Sequence, residues 1–144
     1  MKTCFFIGHR EASADIAARL EKTIEIHIEE YGVDDFVVGQ YGNFDLMAAK
    51  AVIKAKARHP DIRLTILLPY HPTLRKFELP DGCDGTFYPP GMENIPYRFA
   101  IIKANQYMIK HSDYIIAYVW HPASNARELL EFAEKQKDLI ITII

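Results

Sequence analysis

The sequence predicts a single α/β domain over residues 1–144, built on a doubly wound, mostly parallel sheet. Short apolar runs of strand length alternate along the chain with longer segments of three- and four-residue helical periodicity. The composition is ordinary for one globular domain, with 144 residues of which 49% are hydrophobic and 25% are charged. Strands that alternate with helices pair in parallel through right-handed crossovers, and this places helices on both faces of the sheet.

The first half of the chain supplies three strands and two helices. Strands are expected at residues 4–8, 35–39 and 62–69, and helices at residues 13–31 and 44–58. Each strand is a short apolar run. Ser13 and Asp15 are alternative caps for the first helix, Gly32 ends it in a left-handed conformation, and Pro60 stops the second helix. His27 lies on the apolar stripe of the first helix, so we expect a hydrogen-bonded core histidine there.

The second half begins with a long segment, residues 70–96, in which prolines and glycines are dense and no helical period is sustained. A connection of this length is usually functional, so a lid or binding loop is expected, with Tyr70 among its aromatic side chains. Regular elements follow from the same criteria: an edge strand at residues 83–88, helices at 94–110 and 126–135, and strands at 112–120 and 139–144. Asn125 with Glu128 resembles a capping box at the start of the last helix.

The end of the first strand predicts where a ligand binds. His9 and Arg10 directly follow Gly8, at the carboxyl edge of the expected sheet, where open α/β sheets bind their ligands. Arg10 suits a phosphate or carboxylate, because a planar guanidinium donates two parallel hydrogen bonds to one anion. A strand-to-helix turn with solvated polar side chains is the alternative interpretation.

The loop after the second strand carries Gly39 and Gly42. Its backbone N–H groups and the following helix start are suited to an anion; alternatively, Asn43 or Asp45 simply caps the helix. The spacing is not that of a G-x-G-x-x-G dinucleotide fingerprint. In the usual doubly wound orders the first strand lies beside a strand of the second half. We therefore expect three loops to converge on one crevice: residues 8–10, 39–45 and 121–125.

Composition and charge argue against several function classes. A formal net charge of −2 gives no general attraction to nucleic acid or anionic lipid, so neither is expected as a partner. No apolar segment approaches the ~18 residues of a membrane span and the amino terminus lacks a signal-peptide pattern, so a cytoplasmic protein is expected. The histidines show no paired metal-ligand spacing. No metal site is therefore predicted, and no cofactor is predicted either.

Five short stretches, spread in this order along nearly the whole chain, resemble one family. They are residues 4–10, 39–45, 67–70, 105–108 with 112–114, and 131–133. The chain resembles the SLOG superfamily of Rossmann-like nucleotide-binding proteins. Within it, the chain resembles short bacterial proteins of unknown function, related to the YpsA type, that begin with a strand and Gly-His-Arg. The resemblance implies a three-layer α/β/α Rossmann-like fold, a nucleotide-derived ligand and a homo-oligomer.

The resemblance also extends to the Lonely Guy phosphoribohydrolases, which split the base from a nucleoside 5′-monophosphate. These relatives use a glycine-rich phosphate loop with an arginine and a glutamate near the ribose. Glu131 matches the glutamate, with a solvated helix face as the alternative interpretation. Ser124-Asn125 stand where the relatives have consecutive glycines, and Ala104 stands where they have the arginine. Three cations are candidates to substitute for that arginine: Arg10, Lys103 and Arg98.

Two functions from different classes follow. The chain either binds a nucleotide-derived small molecule, phosphoribosyl or ADP-ribose-like, as a sensor, or it hydrolyses the N-glycosidic bond of a nucleoside 5′-monophosphate-like substrate. The missing glycine pair and Ala104 favour the sensor, whereas Glu131, Arg10 and the lid-like loop favour the hydrolase. The candidate catalytic residues are Glu131 and Glu128. The candidate ligand-binding residues are Gly8, His9, Arg10, Gly39, Gly42, Asn43, Asp45, Tyr70, Asn105, Ser124 and Asn125.

Overall fold

One six-stranded sheet, in which every pair of neighbouring strands is parallel, organises residues 1–144 in this computed structural model. The strands are β1 (Thr3–Gly8), β2 (Asp35–Val38), β3 (Arg63–Leu67), β4 (Gly85–Phe87), β5 (Tyr114–Tyr118) and β6 (Ile140–Ile143). The α-helices are α1 (Ala17–Glu29), α2 (Asn43–Lys56), α3 (Ala100–His111) and α4 (Asn125–Glu134). This architecture confirms the predicted α/β, Rossmann-like doubly wound class. None of the helices combines the length and the hydropathy that a membrane span requires.

The strand order is β4-β3-β2-β1-β5-β6, so β1 lies between β2 and β5 at the centre of the sheet. Phe5 of β1 pairs with Val37 of β2 on one side and with Ile115 of β5 on the other. The chain winds outward from β1 to β4 in one direction and from β5 to β6 in the other. The order therefore reverses between β1 and β5, and the segments that follow these two strands lead to helices on opposite faces of the sheet, which leaves a crevice between them.

The alternation of side chains along β1 divides the core into two halves. Cys4 and Phe6 pack with α1 and α2 on one face, while Phe5 and Ile7 pack with α3 and α4 on the other. Successive side chains of a strand point to opposite faces, so an uninterrupted apolar run serves both layers. His27 of α1 is buried, with its Nδ1 2.8 Å from the Thr23 carbonyl oxygen, which confirms the expected core histidine.

Two predictions about helix starts are wrong, one by six residues and the other by a single residue. The helix expected from residue 94 begins at Ala100, because two short 3₁₀ turns, Met92–Asn94 and Tyr97–Phe99, precede it and Pro96 adopts an extended conformation between them. The expected capping box at Asn125 is also wrong. Ser124 caps α4 instead, since its Oγ accepts a hydrogen bond from the Arg127 N–H at 3.1 Å.

Candidate functional site

A cleft of about 300 Å³ opens at the carboxyl edge of the sheet, at the point where the strand order reverses. Its lining comes from the loops after β1, β2, β3 and β5 and from the first turns of α3 and α4. Most of the predicted binding residues line it together: Gly8, His9, Arg10, Gly39, Asp45, Asn105, Ser124 and Asn125. The three loops expected to converge therefore do so.

The remaining candidate residues lie outside this cleft. Asn43 and Gly42 belong to the start of α2, and the Asn43 side chain donates to the Ala12 carbonyl oxygen at 2.5 Å. Tyr70 stacks on another tyrosine in the long segment after β3. Glu128 and Glu131 are exposed on α4. The residues of α4 that line the cleft are Asn125, Ala126 and Leu129. Neither glutamate lines the cleft.

His9 is a buried side chain that holds the loop after β5 through hydrogen bonds. The residue is 8% exposed, and its Nε2 accepts hydrogen bonds from the backbone N–H groups of Trp120, at 2.8 Å, and His121, at 3.1 Å. An acceptor at Nε2 requires a neutral ring with its proton on Nδ1. Burial first, and then the nearby His121 and Arg127, lowers the pKa of His9 below its ordinary 6.5. The imidazole thus holds the cleft wall in place while it is neutral.

The amino terminus of α4 opens into the cleft. Ser124 Oγ accepts a hydrogen bond from the Arg127 N–H, and the Ser124 carbonyl oxygen accepts one from the Glu128 N–H. The N–H groups of Asn125 and Ala126 therefore remain free. Free first-turn N–H groups and the helix dipole together favour an anion. The absence of glycine here does not close the approach, because Ser124 and Asn125 line the cleft themselves.

Arg10 is the cation that faces the cleft. Its carbonyl oxygen accepts the Asn43 N–H at 2.8 Å, while its side chain is exposed. A Cβ on Gly42 would approach the Arg10 Cα to 2.8 Å, so glycine is required for this contact between the β1 loop and α2. Of the three cations proposed to replace the relatives' arginine, Lys103 and Arg98 are exposed outside the cleft, whereas Arg10 lines it.

Asp45 places a half-buried carboxyl group in the cleft wall. A Cβ on Gly39 would lie 2.7 Å from Asp45 Oδ2, so the glycine makes room for this carboxyl. The Tyr41 N–H is its hydrogen-bond donor, at 3.4 Å, which is a weak contact. Burial raises the pKa of Asp45 from 3.8 to about 6, partly offset by the Tyr41 N–H. This group can exchange a proton near neutral pH.

The lid-like segment contributes a cluster that sequence reasoning noticed only as a density of aromatic and cationic side chains. Tyr70 and Tyr97 stack with ring centroids 4.2 Å apart, and the Arg75 guanidinium lies 4.6 Å from the Tyr70 centroid. Arg75 also donates to the hydroxyl groups of Tyr41 and Tyr97. Tyr41 lines the cleft, so this cluster attaches the segment to one end of the site.

One group of potential metal ligands lies away from the cleft, between α1 and α2. It consists of Glu25, Glu29 and His59, whose ligand atoms lie within 4.8 Å of one another. Glu25 accepts hydrogen bonds from the Arg58 guanidinium and lies 2.7 Å from His59 Nε2. The Arg58 guanidinium and His59 occupy the Glu25 carboxylate, and Arg58 with His59 lowers the pKa of Glu25.

No protein-family model and no curated protein matches the chain. The functional argument therefore rests on the cleft itself. What the cleft offers is one arginine, two free N–H groups at a helix start, and a carboxyl group of raised pKa.

Proposed function

We propose that the protein binds a nucleotide or nucleotide-derived small molecule in this cleft and acts as a sensor or binding module. The carrying observation is that Arg10 and the free N–H groups at the start of α4 share one concave site. Both donate to anions, and a phosphate accepts from several donors at once. On the same grounds, and on the stretches of sequence given above, we propose a divergent member of the SLOG superfamily.

The polar side chains beyond the anion donors favour a ribosyl group. Asp45 accepts and, when protonated, donates hydrogen bonds, and the Asn105 amide does both. Together they suit the hydroxyl groups of a sugar attached to the phosphate. Apolar lining from Leu67, Ile101 and Leu129 excludes water around them.

Hydrolysis of an N-glycosidic bond is the second candidate, and one observation favours it. Asp45 is a carboxyl group in the cleft whose pKa is raised to about 6, which suits general acid–base work near neutral pH. A carboxylate beside the sugar also stabilises an oxocarbenium-like transition state. This candidate rests on Asp45 and not on Glu131, which is exposed outside the cleft.

A thermal-shift panel of nucleotides followed by an assay for free base tests both candidates. A ligand at ~100 times its dissociation constant stabilises the fold by roughly 2.7 kcal/mol. Stabilisation by a nucleotide without release of base supports the sensor. Free base that wild type releases and Asp45→Asn does not supports the hydrolase, with Glu131→Gln as the matched carboxylate control. If no nucleotide or ADP-ribose-like compound shifts the midpoint, both candidates are wrong.

A further inference from the structure

A second hollow of about 230 Å³ opens beside the cleft, on the side of the loop that follows β5. It shares His9, Arg10 and Ser124 with the cleft, so the two are continuous at the proposed anion site. Its remaining wall includes Trp120 and His121. One hollow thus offers carboxyl and amide groups, and the other offers aromatic rings, with the anion donors between them.

Trp120 is a large aromatic side chain that is held in place although 58% of it is exposed. Its backbone N–H donates to His9, and its ring lies in an edge contact with the His9 ring at a centroid distance of 5.0 Å. The His121 ring packs against it at 5.4 Å. An exposed indole costs hydration free energy, and its flat face is suited to stacking with a planar ring.

The aromatic rings of the lid-like segment, at the opposite end of the cleft, are already engaged, and the neighbouring Tyr41 accepts a hydrogen bond from Arg75 through its hydroxyl group. Tyr70 and Tyr97 stack on each other, and Arg75 covers the Tyr70 ring. A base arriving there would have to displace a cation and a stacked partner. Trp120 offers its exposed surface without such a cost.

The strand order fixes how these groups follow one another along the edge of the sheet. Asp45 of α2 lies beside Gly39 at the end of β2, Arg10 follows β1 and Trp120 follows β5, and β1 lies between the other two strands. Neighbouring strands are roughly 4.8 Å apart, so Asp45 and Trp120 flank Arg10 on opposite sides. A phosphate at Arg10 would therefore carry one substituent towards each hollow.

We propose that Trp120 is a stacking subsite for a nucleobase, and that the ligand is a phosphate ester of the ADP-ribose type with a nucleoside on one side and a sugar on the other. The base lies on Trp120, the phosphates lie at Arg10 and the start of α4, and the sugar lies towards Asp45. A nucleoside monophosphate fills only one of the two hollows. This inference rests on the proposed nucleotide-binding function.

Three probes separate the parts of the site in the full chain: ribose 5-phosphate, AMP and ADP-ribose. Calorimetry gives their affinities, and the emission of Trp120, the single tryptophan of the chain, reports stacking directly. We expect ADP-ribose to bind at least tenfold more tightly than either smaller probe. AMP and ADP-ribose should quench Trp120 emission, whereas ribose 5-phosphate should bind without quenching it.

Substitution gives an independent readout. Trp120→Leu should weaken ADP-ribose about tenfold and leave ribose 5-phosphate unchanged, because a stacked base contributes on that order. Trp120→Phe should retain most of the affinity, and Phe99→Leu, an exposed aromatic outside both hollows, should retain all of it. If Trp120→Leu fails to fold, the quenching in wild type and the affinity of Trp120→Phe still show whether a base stacks on Trp120.

The outcomes distinguish a failure of the stacking subsite from a failure of the proposed nucleotide-binding function. ADP-ribose that binds equally well to wild type and Trp120→Leu, without quenching, overturns the stacking subsite and leaves nucleotide binding standing. Equal affinities for AMP and ADP-ribose overturn the two-sided ligand. Self-association of wild type that Trp120→Leu abolishes, with unchanged affinities, overturns the subsite in favour of a protein contact. Absence of binding by all three probes overturns the proposed function itself.

Discussion

Asp45 is the residue of this cleft whose placement opposes the stability of the fold most clearly. Its carboxyl group stands in a half-buried wall with one weak backbone donor, and no cation pairs with it. Gly39 leaves the space that the carboxyl occupies. A charge placed where burial disfavours it is typical of binding and catalytic sites, in which functional groups lower the stability of the fold.

Asp45→Asn should stabilise the protein at neutral pH and not in acid. Burial raises the pKa of Asp45 to about 6, so the free energy of unfolding that this group contributes is present below pH 3.8 and is lost as pH rises through about 6. Asparagine removes the penalty and keeps an acceptor for the Tyr41 N–H. We expect a gain of about 3 kcal/mol at pH 7.5 that disappears near pH 4.

Urea titrations of Asp45→Asn and wild type between pH 4 and 8 measure this difference. The matched control is Asp61→Asn, which makes the same charge change at an exposed turn. A gain at pH 7.5 that is equally large at pH 4 would show that the benefit comes from something other than the buried charge.

Arg10 should control anion affinity without controlling stability. Its side chain is exposed, and its structural contact is made by the backbone carbonyl oxygen, which any residue supplies. Arg10→Gln should weaken ribose 5-phosphate tenfold or more, and Arg10→Lys should restore part of that loss, because lysine keeps the charge but not the two-pronged geometry. Calorimetry and a melting curve check the two halves of the prediction. Equal losses for Arg98→Gln, outside the cleft, would contradict it.

At the scale of the elements, β1 and α2 meet at Gly8. A Cβ at this position would run into the ring of Phe44, which is fully buried against β1 in the core of α1 and α2. The glycine therefore sets how closely α2 approaches the strand that carries His9 and Arg10. The distance between this strand and helix determines where Asp45 lies relative to Arg10.

Gly8→Ala should destabilise the fold by about 1–3 kcal/mol, since the inserted methyl overpacks a close-packed core. In the Gly8→Ala background, Phe44→Leu should cost less than it does in wild type, because the smaller side chain relieves the collision. Chemical denaturation of the four proteins completes the cycle. Additive effects of the two substitutions would place the strain elsewhere.

Much of this element framework follows from the sequence, because apolar period and length specify strands and helices locally. The short edge strand β4 was expected from residues 83–88, and Gly32, with φ of 71°, ends the first helix region as expected. The start of α3 was not predicted correctly, because proline occurs in an extended turn, as Pro96 does here, as well as at the first position of a helix. The cap of α4 was assigned one residue late, because Ser124 and Asn125 are equally good caps.

The site was predictable where it depends on strand ends and not where it depends on side-chain direction. Carboxyl ends of parallel strands meet at one edge, so the convergence of residues 8–10, 39–45 and 121–125 follows from topology. Glu131 was chosen by position along the chain, yet it lies 200° around α4 from the cleft-lining Leu129, on an exposed face. The role of His9 depends on a contact 111 residues away, which no local pattern encodes.

At the scale of the whole molecule, two buried histidines should destabilise the fold in acid, in the opposite sense to Asp45. Burial lowers the pKa of both His9 and His27 below 6.5, so the fold favours their neutral rings. Their contribution to stability is fully present above pH 6.5 and is lost as pH falls through their lowered pKa values. His9 couples this loss to the cleft wall, whereas His27 lies in the opposite part of the core.

His27→Phe should separate the global effect from the local one. His27 is 1% exposed, its Nε2 is buried without a hydrogen-bond partner, and its ring lies edge-on to the rings of Tyr31 and Tyr114, which stack on each other. Phenylalanine keeps an aromatic ring in contact with both tyrosines and cannot be protonated. We therefore expect similar stability to wild type at pH 8 and greater stability at pH 5, measured as the urea midpoint. Ligand affinity at pH 8 should not change, because His9 still holds the loop after β5. A variant that loses stability in acid as steeply as wild type would show that His27 is not the group whose protonation unfolds the core.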